Sequence, residues 1–164
     1  MSRKLRFTML LGVCVVVFGG LMAAWAAART NRSAVGTWQL DVAKSSSGKM
    51  PVPSFEQLVI TTDDVDTYKW SLIGTEGHGT TFSKSYDGPV DGQDHPLTSS
   101  ESGSLIAYTR TPSGSLRWVV KDKDGTVIET ASRWLSPDGK LMTIKGTANF
   151  SGGAVFISVF DKVK

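Results

Sequence analysis

The chain has 164 residues, 40% of them hydrophobic, with 18 basic side chains, 15 acidic ones and one cysteine. The net charge of +3 resides in Arg3, Lys4 and Arg6, so the remainder carries 15 charges of each sign and gives no basis for a basic surface that would hold nucleic acid or acidic lipid. One cysteine allows no internal disulfide, and one domain is the expected count at this length.

The three early cations are followed by an uncharged stretch, 7–28, whose apolar part is 7–18. Gly19 and Gly20 break it, and Ala24-Trp25-Ala26 and Ala26-Ala27-Ala28 offer small residues at cleavage spacing. This pattern predicts a signal peptide over 1–28, with a retained membrane anchor as the alternative. Any contact with a membrane would run through this segment. Cys14 does not fit a lipoprotein anchor, because Val13 stands where a small residue belongs. Residues 29–34 read as a short polar leader before a domain over 35–164. The 136 residues from Arg29 onward would bury roughly two thirds of the surface their unfolded form exposes, enough to fold without covalent staples.

Residues 35–42 alternate, with Trp38, Leu40 and Val42 on one face, which predicts a half-buried strand. Segment 44–53 is a loop in which Pro51 and Pro53 disfavour a helix. Further strands are predicted over 55–61, 67–73, 80–86, 105–111, 116–121, 126–135, 141–150 and 154–163. Between them lie strong turn sequences, among them Asp122-Lys123-Asp124-Gly125 and Ser136-Pro137-Asp138-Gly139. Asp and Gly tolerate positive φ, so such pairs between alternating runs mark hairpins. The prediction is all-β: an antiparallel up-and-down meander closed into a small barrel of about 8–10 strands, with a two-sheet sandwich as second choice. The Gly- and Ser-rich segment 87–104 is the one long irregular stretch, a length that points to function or mobility.

Gly36-Thr37-Trp38 at the head of this meander resembles the opening of lipocalin-type (calycin) barrels. The resemblance implies that Trp38 closes the base of the barrel beneath an arginine from a late strand. Arg133 fits by order along the chain better than Arg110 or Arg117. A guanidinium over an indole contributes roughly 0.5 to 2 kcal/mol. Gly36, Trp38 and Arg133 are thus expected to be structural. Gly36 to Ser45, Tyr86-Asp87-Gly88, the run from Asp91 to Pro96, and Ser136 to Lys140 resemble landmarks of secreted bacterial lipocalin-like proteins of unassigned function. That likeness implies an extracytoplasmic location, periplasmic or secreted, and carries no activity. Fatty-acid-binding proteins hold a carboxylate with an Arg-x-Tyr on the last strand; here Ser158-Val159-Phe160 stands in its place. Haem barrels need an axial ligand, and neither histidine sits inside a predicted strand.

His78 lies in a turn and His95 in the long segment, so a zinc site drawing on Glu76 and Asp94 would need an unsupported loop contact. Asp63-Asp64-Val65-Asp66 and Asp122-Lys123-Asp124-Gly125 lack the remaining ligands of an EF-hand and read as turns. No Gly-x-Ser-x-Gly elbow exists. No metal, cofactor or catalytic group is therefore expected, and the chain is expected not to be an enzyme. Aromatic residues carry the remaining signal. Trp70, Tyr86, Tyr108 and Trp118 fall in strands, and Lys84 shares a phase with Phe82 and Tyr86. These five either line a cavity for a small, mostly apolar ligand, with Lys84 meeting a ligand carboxylate or phosphate, or fill the core. Non-catalytic binding of a small hydrophobic ligand is the leading expectation. The alternative is a filled barrel acting in the cell envelope as an interaction module through 87–104, its protein partner unspecified.

Overall fold

The computed structural model describes residues 33–48, 50–99 and 103–164. The expected export segment, 1–28, and residues 29–32 of the leader lie outside the described residues. Eleven strands are described: β1 (Gly36–Leu40), β2 (Phe55–Asp63), β3 (Thr67–Thr75), β4 (Thr81–Pro89), β5 (His95–Pro96), β6 (Thr98–Ser99), β7 (Leu105–Arg110), β8 (Leu116–Lys121), β9 (Val127–Leu135), β10 (Leu141–Ala148) and β11 (Ala154–Lys162). Nine are those read from the alternation. The other two are two-residue strands inside 87–104. The only helical turns among the described residues are short 3-10 pieces, Val42–Lys44 and Asn149–Ser151.

All pairs are antiparallel, in the order β5-β7-β8-β9-β10-β11-β1-β2-β3-β4-β6. The two ends of this sheet adjoin in the chain, because only Leu97 separates β5 from β6. His95 and Pro96 pair with Ile106 and Leu105 of β7, while Thr98 and Ser99 pair with Ser85 and Lys84 of β4. Segment 95–99 is thus a strap that closes the barrel between β4 and β7. Lower on the same strap, the Val90 and Gly92 amides donate to the carbonyls of Asp66 and Tyr108, each at 2.8 Å. The long irregular segment is therefore largely wall, and buried Leu97 is its inward plug.

Turn chemistry works as its residue types dictate. In the β8–β9 hairpin the Asp122 carboxylate accepts from the amides of Asp124 and Thr126, and Gly125 takes φ 81°. At the other end of the barrel, Gly36 has φ 144°, and a Cβ there would collide with the carbonyl oxygen of Lys164. The glycine of Gly-x-Trp is thereby required by close approach of the last strand. Trp38 is fully buried, its indole N–H donating to the Ala34 carbonyl at 2.8 Å, and it packs in a core with Leu116, Met142, Phe160 and Ile60.

The arginine expected over Trp38 is not there. It is the Lys162 ammonium that stands 5.3 Å from the Trp38 ring, while the Arg133 guanidinium lies 5.2 Å from the ring of Tyr68. Arg133 is held there by a carboxylate. Its Nη2 donates to both oxygens of Asp63 at 3.0 Å and its Nη1 to the Tyr68 hydroxyl at 3.0 Å. Asp63 also accepts from the Ala34 amide at 2.6 Å and from Arg110 Nη2 at 2.6 Å. A two-way charge-assisted grip outweighs a face-on contact with an indole.

Candidate functional site

The barrel runs from a base at the β2–β3, β7–β8 and β9–β10 turns to a mouth at the β3–β4, β8–β9 and β10–β11 turns. Base positions are filled. Above them lies a cavity of about 160 Å³, reaching from Tyr68, Tyr108 and Arg133 up to Glu56, Lys84 and Glu129. Trp70, Trp118, Ile106 and Leu97 form part of its sides, and Phe82 and Phe156 stand nearer the mouth.

The two mouth phenylalanines have similar seats. Phe82 pairs with Gly74 across β3 and β4, and Phe156 with Gly146 across β10 and β11. A Cβ on Gly146 would lie 2.6 Å from the Phe156 ring, and one on Gly74 would strike the Phe82 ring. Glycine at each site lets the neighbouring ring lie down against the wall.

Four of the five proposed lining residues border the cavity: Trp70, Lys84, Tyr108 and Trp118. Tyr86 does not. It points inward as its phase implied, but it sits lower, with its ring 5.0 Å from Tyr108 and its hydroxyl donating to the Pro89 carbonyl at 2.7 Å. Alternation fixes which face a side chain takes, not its depth along the barrel axis. Arg133, expected to be structural, contributes to the floor of the cavity as well as to the base.

The aromatic side chains form a connected wall. Tyr68 meets Tyr108 edge-on at 5.1 Å, Tyr108 meets Trp118 at 5.9 Å, and the Trp70 indole donates to the Tyr108 hydroxyl at 2.9 Å. Burial pushes the Tyr108 phenol well above its usual range, and neighbouring Tyr68 adds to the effect. Burial likewise raises Tyr68, against the pull of Arg133, and lifts Tyr86 to about 12. All three phenols are neutral near pH 7.

Charges are distributed unevenly. At the floor, burial works to raise Asp63, but the Arg133 charge and hydrogen bonds from Arg110, Ala34 and Arg133 outweigh it and hold the carboxyl below its ordinary value. Burial alone would lower Arg133; its contacts with Tyr68 and Asp63 raise it instead. At the mouth, burial raises Glu56 to about 7, with Lys84 pulling down and Glu129 pushing up. Hydrogen bonding makes no contribution to that shift. Glu129 accepts the Trp118 indole N–H on Oε1 at 2.7 Å.

Glu56, Glu129 and Asp63 are the site residues that sequence reasoning missed. The first two shared a phase with inward neighbours, Leu58 and Ile60 in one strand and Arg133 in the other. Asp63 is turned inward by a β-bulge. Ile60 pairs with Trp70 but Thr62 pairs with Lys69, so one extra residue on β2 reverses the alternation.

The histidines stay apart, His78 beside Glu76 at 3.1 Å and His95 beside Asp91 at 3.0 Å. No group of three metal-ligating side chains is assembled among the described residues.

No protein-family model matches the chain, and neither does any curated protein. Among solved structures, the fluorescent protein UnaG, as its N57Q mutant, is similar with a TM-score of 0.55 at 15% identity, over 79% of this chain and 95% of that one. A second similarity is to the amine binding protein of Rhodnius prolixus in its tryptamine complex. It has a TM-score of 0.46 at 12% identity, over 81% of this chain and 66% of that one. At 15% identity the first of these likenesses establishes the fold alone, an all-β antiparallel barrel.

Proposed function

We propose that this chain is a non-catalytic binding protein for a small, mostly apolar ligand held inside the barrel, and that it acts outside the cytoplasm, in the periplasm or after secretion. The location rests on the export pattern of residues 1–28. The binding role rests on one observation: a barrel filled at its base retains a cavity of about 160 Å³ with an aromatic wall and its charged side chains at the mouth and floor. Binding sites in proteins combine apolar lining with a small number of placed polar groups in this way. The volume also limits the ligand. A cavity of about 150 Å³ accepts benzene, so one ring with a short substituent is the appropriate scale.

The rival role, an interaction module docking through 87–104 over a filled core, has less support: a cavity lies above the filled base, and 95–96 and 98–99 within that segment are paired to β7 and β4.

Native mass spectrometry on protein gently purified from the extracytoplasmic fraction of its source tests the binding reading. A discrete added mass that disappears on denaturation is the expected result. A bare-chain mass, together with tryptophan fluorescence indifferent to single-ring compounds at millimolar concentration, would overturn it.

A further inference from the structure

The polar groups around the cavity are mismatched in a way that selects a ligand charge. Three ionisable side chains border its mouth: the carboxylates of Glu56 and Glu129 and the ammonium of Lys84. The floor holds another cation, Arg133, but that guanidinium is 4% exposed and already has Asp63 on Nη2 and Tyr68 on Nη1. Both of its terminal nitrogens are engaged at short range, although Asp63 is shared with Arg110, so it is a poorer partner for a cavity anion than a free guanidinium.

Hydrogen-bonding capacity is as uneven as charge. An ionised carboxylate only accepts. The Glu56 carboxylate takes no hydrogen bond or ion pair from any described residue. Glu129 has one oxygen occupied by the Trp118 indole. Lys84 forms no ion pair within 4 Å with either glutamate among the described residues, although it is near enough to bias Glu56. With both glutamates ionised, as at pH 8, the mouth thus has an excess of acceptors and one more negative than positive charge.

On the premise that the cavity binds a ligand as proposed above, we infer that the ligand is a small organic cation, a single-ring primary amine, with its ammonium between Glu56 and Glu129 and its ring between Trp70 and Trp118. A primary ammonium brings three donors and one positive charge, the two quantities the mouth lacks. The faces of Trp70, Tyr108 and Trp118 favour a cation nearby. A carboxylate ligand of the same size would depend on Lys84 alone while facing two like charges. In this arrangement Lys84 favours the ionised form of Glu56 instead of meeting a ligand carboxylate.

Isothermal titration at pH 8 and low salt with phenethylamine, 2-phenylethanol and 3-phenylpropionate tests this, the three probes differing in charge and little in size. The amine should bind at least about tenfold more tightly than the alcohol, a difference of roughly 1.4 kcal/mol. Glu56→Gln and Glu129→Gln should each reduce that advantage below about threefold, read as the ratio of amine to alcohol affinity within the same variant. Using both variants guards against one failing to fold. Tighter binding of the acid, an amine advantage below threefold in the parent protein, or an advantage surviving in both variants would overturn the inference and leave the binding role standing. Binding of none of the three would overturn both.

Discussion

The base and the mouth of this barrel both enclose ionised side chains in apolar surroundings, yet they treat them differently. At the base, Asp63 accepts from two arginines and a backbone amide, and Arg133 donates to a carboxylate and a phenol. At the mouth, Glu56 has no partner at hydrogen-bond distance among the described residues, and Glu129 has only an indole. Burying a charge is costly unless it is paired and hydrogen-bonded. The base meets that requirement internally and behaves as structure. The mouth leaves it to solvent, which reaches the half-buried glutamates and which a bound molecule could replace.

Removing the acceptor at the base should have the largest effect on the molecule. Asp63→Asn leaves Arg133 buried without a counter-charge, and breaking a buried pair in this way typically costs about 3 to 5 kcal/mol. Thermal denaturation should show a melting temperature lower by roughly 10 °C or more. The pH dependence should change too. The folded-state pKa of Asp63 is depressed, so its contribution is present above the ordinary carboxylate value of 3.8 and is lost as pH falls below it. The parent protein should therefore lose stability steeply on acidification below pH 3.8, and the variant should lack that part of the slope. A loss under 1 kcal/mol would mean that the base is not the structural half.

What was readable in the sequence follows the same division. Period-two alternation and Asp-Gly turns are enough to read the nine long strands, and phase relates Lys84 to Phe82 and Tyr86. The strap could not be seen, because two-residue strands such as His95–Pro96 carry no period of their own and are defined by the partners on either side. Asp63 was hidden by the bulge after Ile60, which no composition signal marks. Glu56 and Glu129 are in phase with buried neighbours, but their chemistry gives no such signal, since a glutamate in a strand is normally assigned to solvent. A charged residue in register with buried apolar ones is the signal that would have located the mouth.

Glu56 should respond in the opposite sense to Asp63. Its folded-state pKa is raised from 4.5 to about 7, so the protonated form suits the fold, and stability declines as pH rises from 4.5 through 7. A shift of that size corresponds to about 3 kcal/mol, reduced to about 2 by the solvent that reaches a half-buried group. Glu56→Gln should therefore leave stability at pH 4.5 nearly unchanged and raise it by about 2 kcal/mol at pH 8.5, as read by urea denaturation at the two pH values. A variant less stable than the parent at pH 8.5 would show that Glu56 already has the partner it is inferred to lack.

The smallest changes in stability come with the sharpest electrostatic readout. Lys84→Met removes the cation that lowers the Glu56 pKa, and Glu129→Gln removes the anion that raises it. Neither should change stability by more than about 0.5 kcal/mol, because Lys84 is exposed and a glutamine at 129 still offers the Trp118 indole an acceptor. Carboxyl-carbon NMR should nevertheless show the Glu56 midpoint moving upward in the first variant and downward in the second. A common shift in both would point to altered solvent access instead of charge. Opposite shifts at nearly constant stability would establish that the mouth charges sense one another across open space, the condition under which an incoming cation could bind there without the fold having to rearrange.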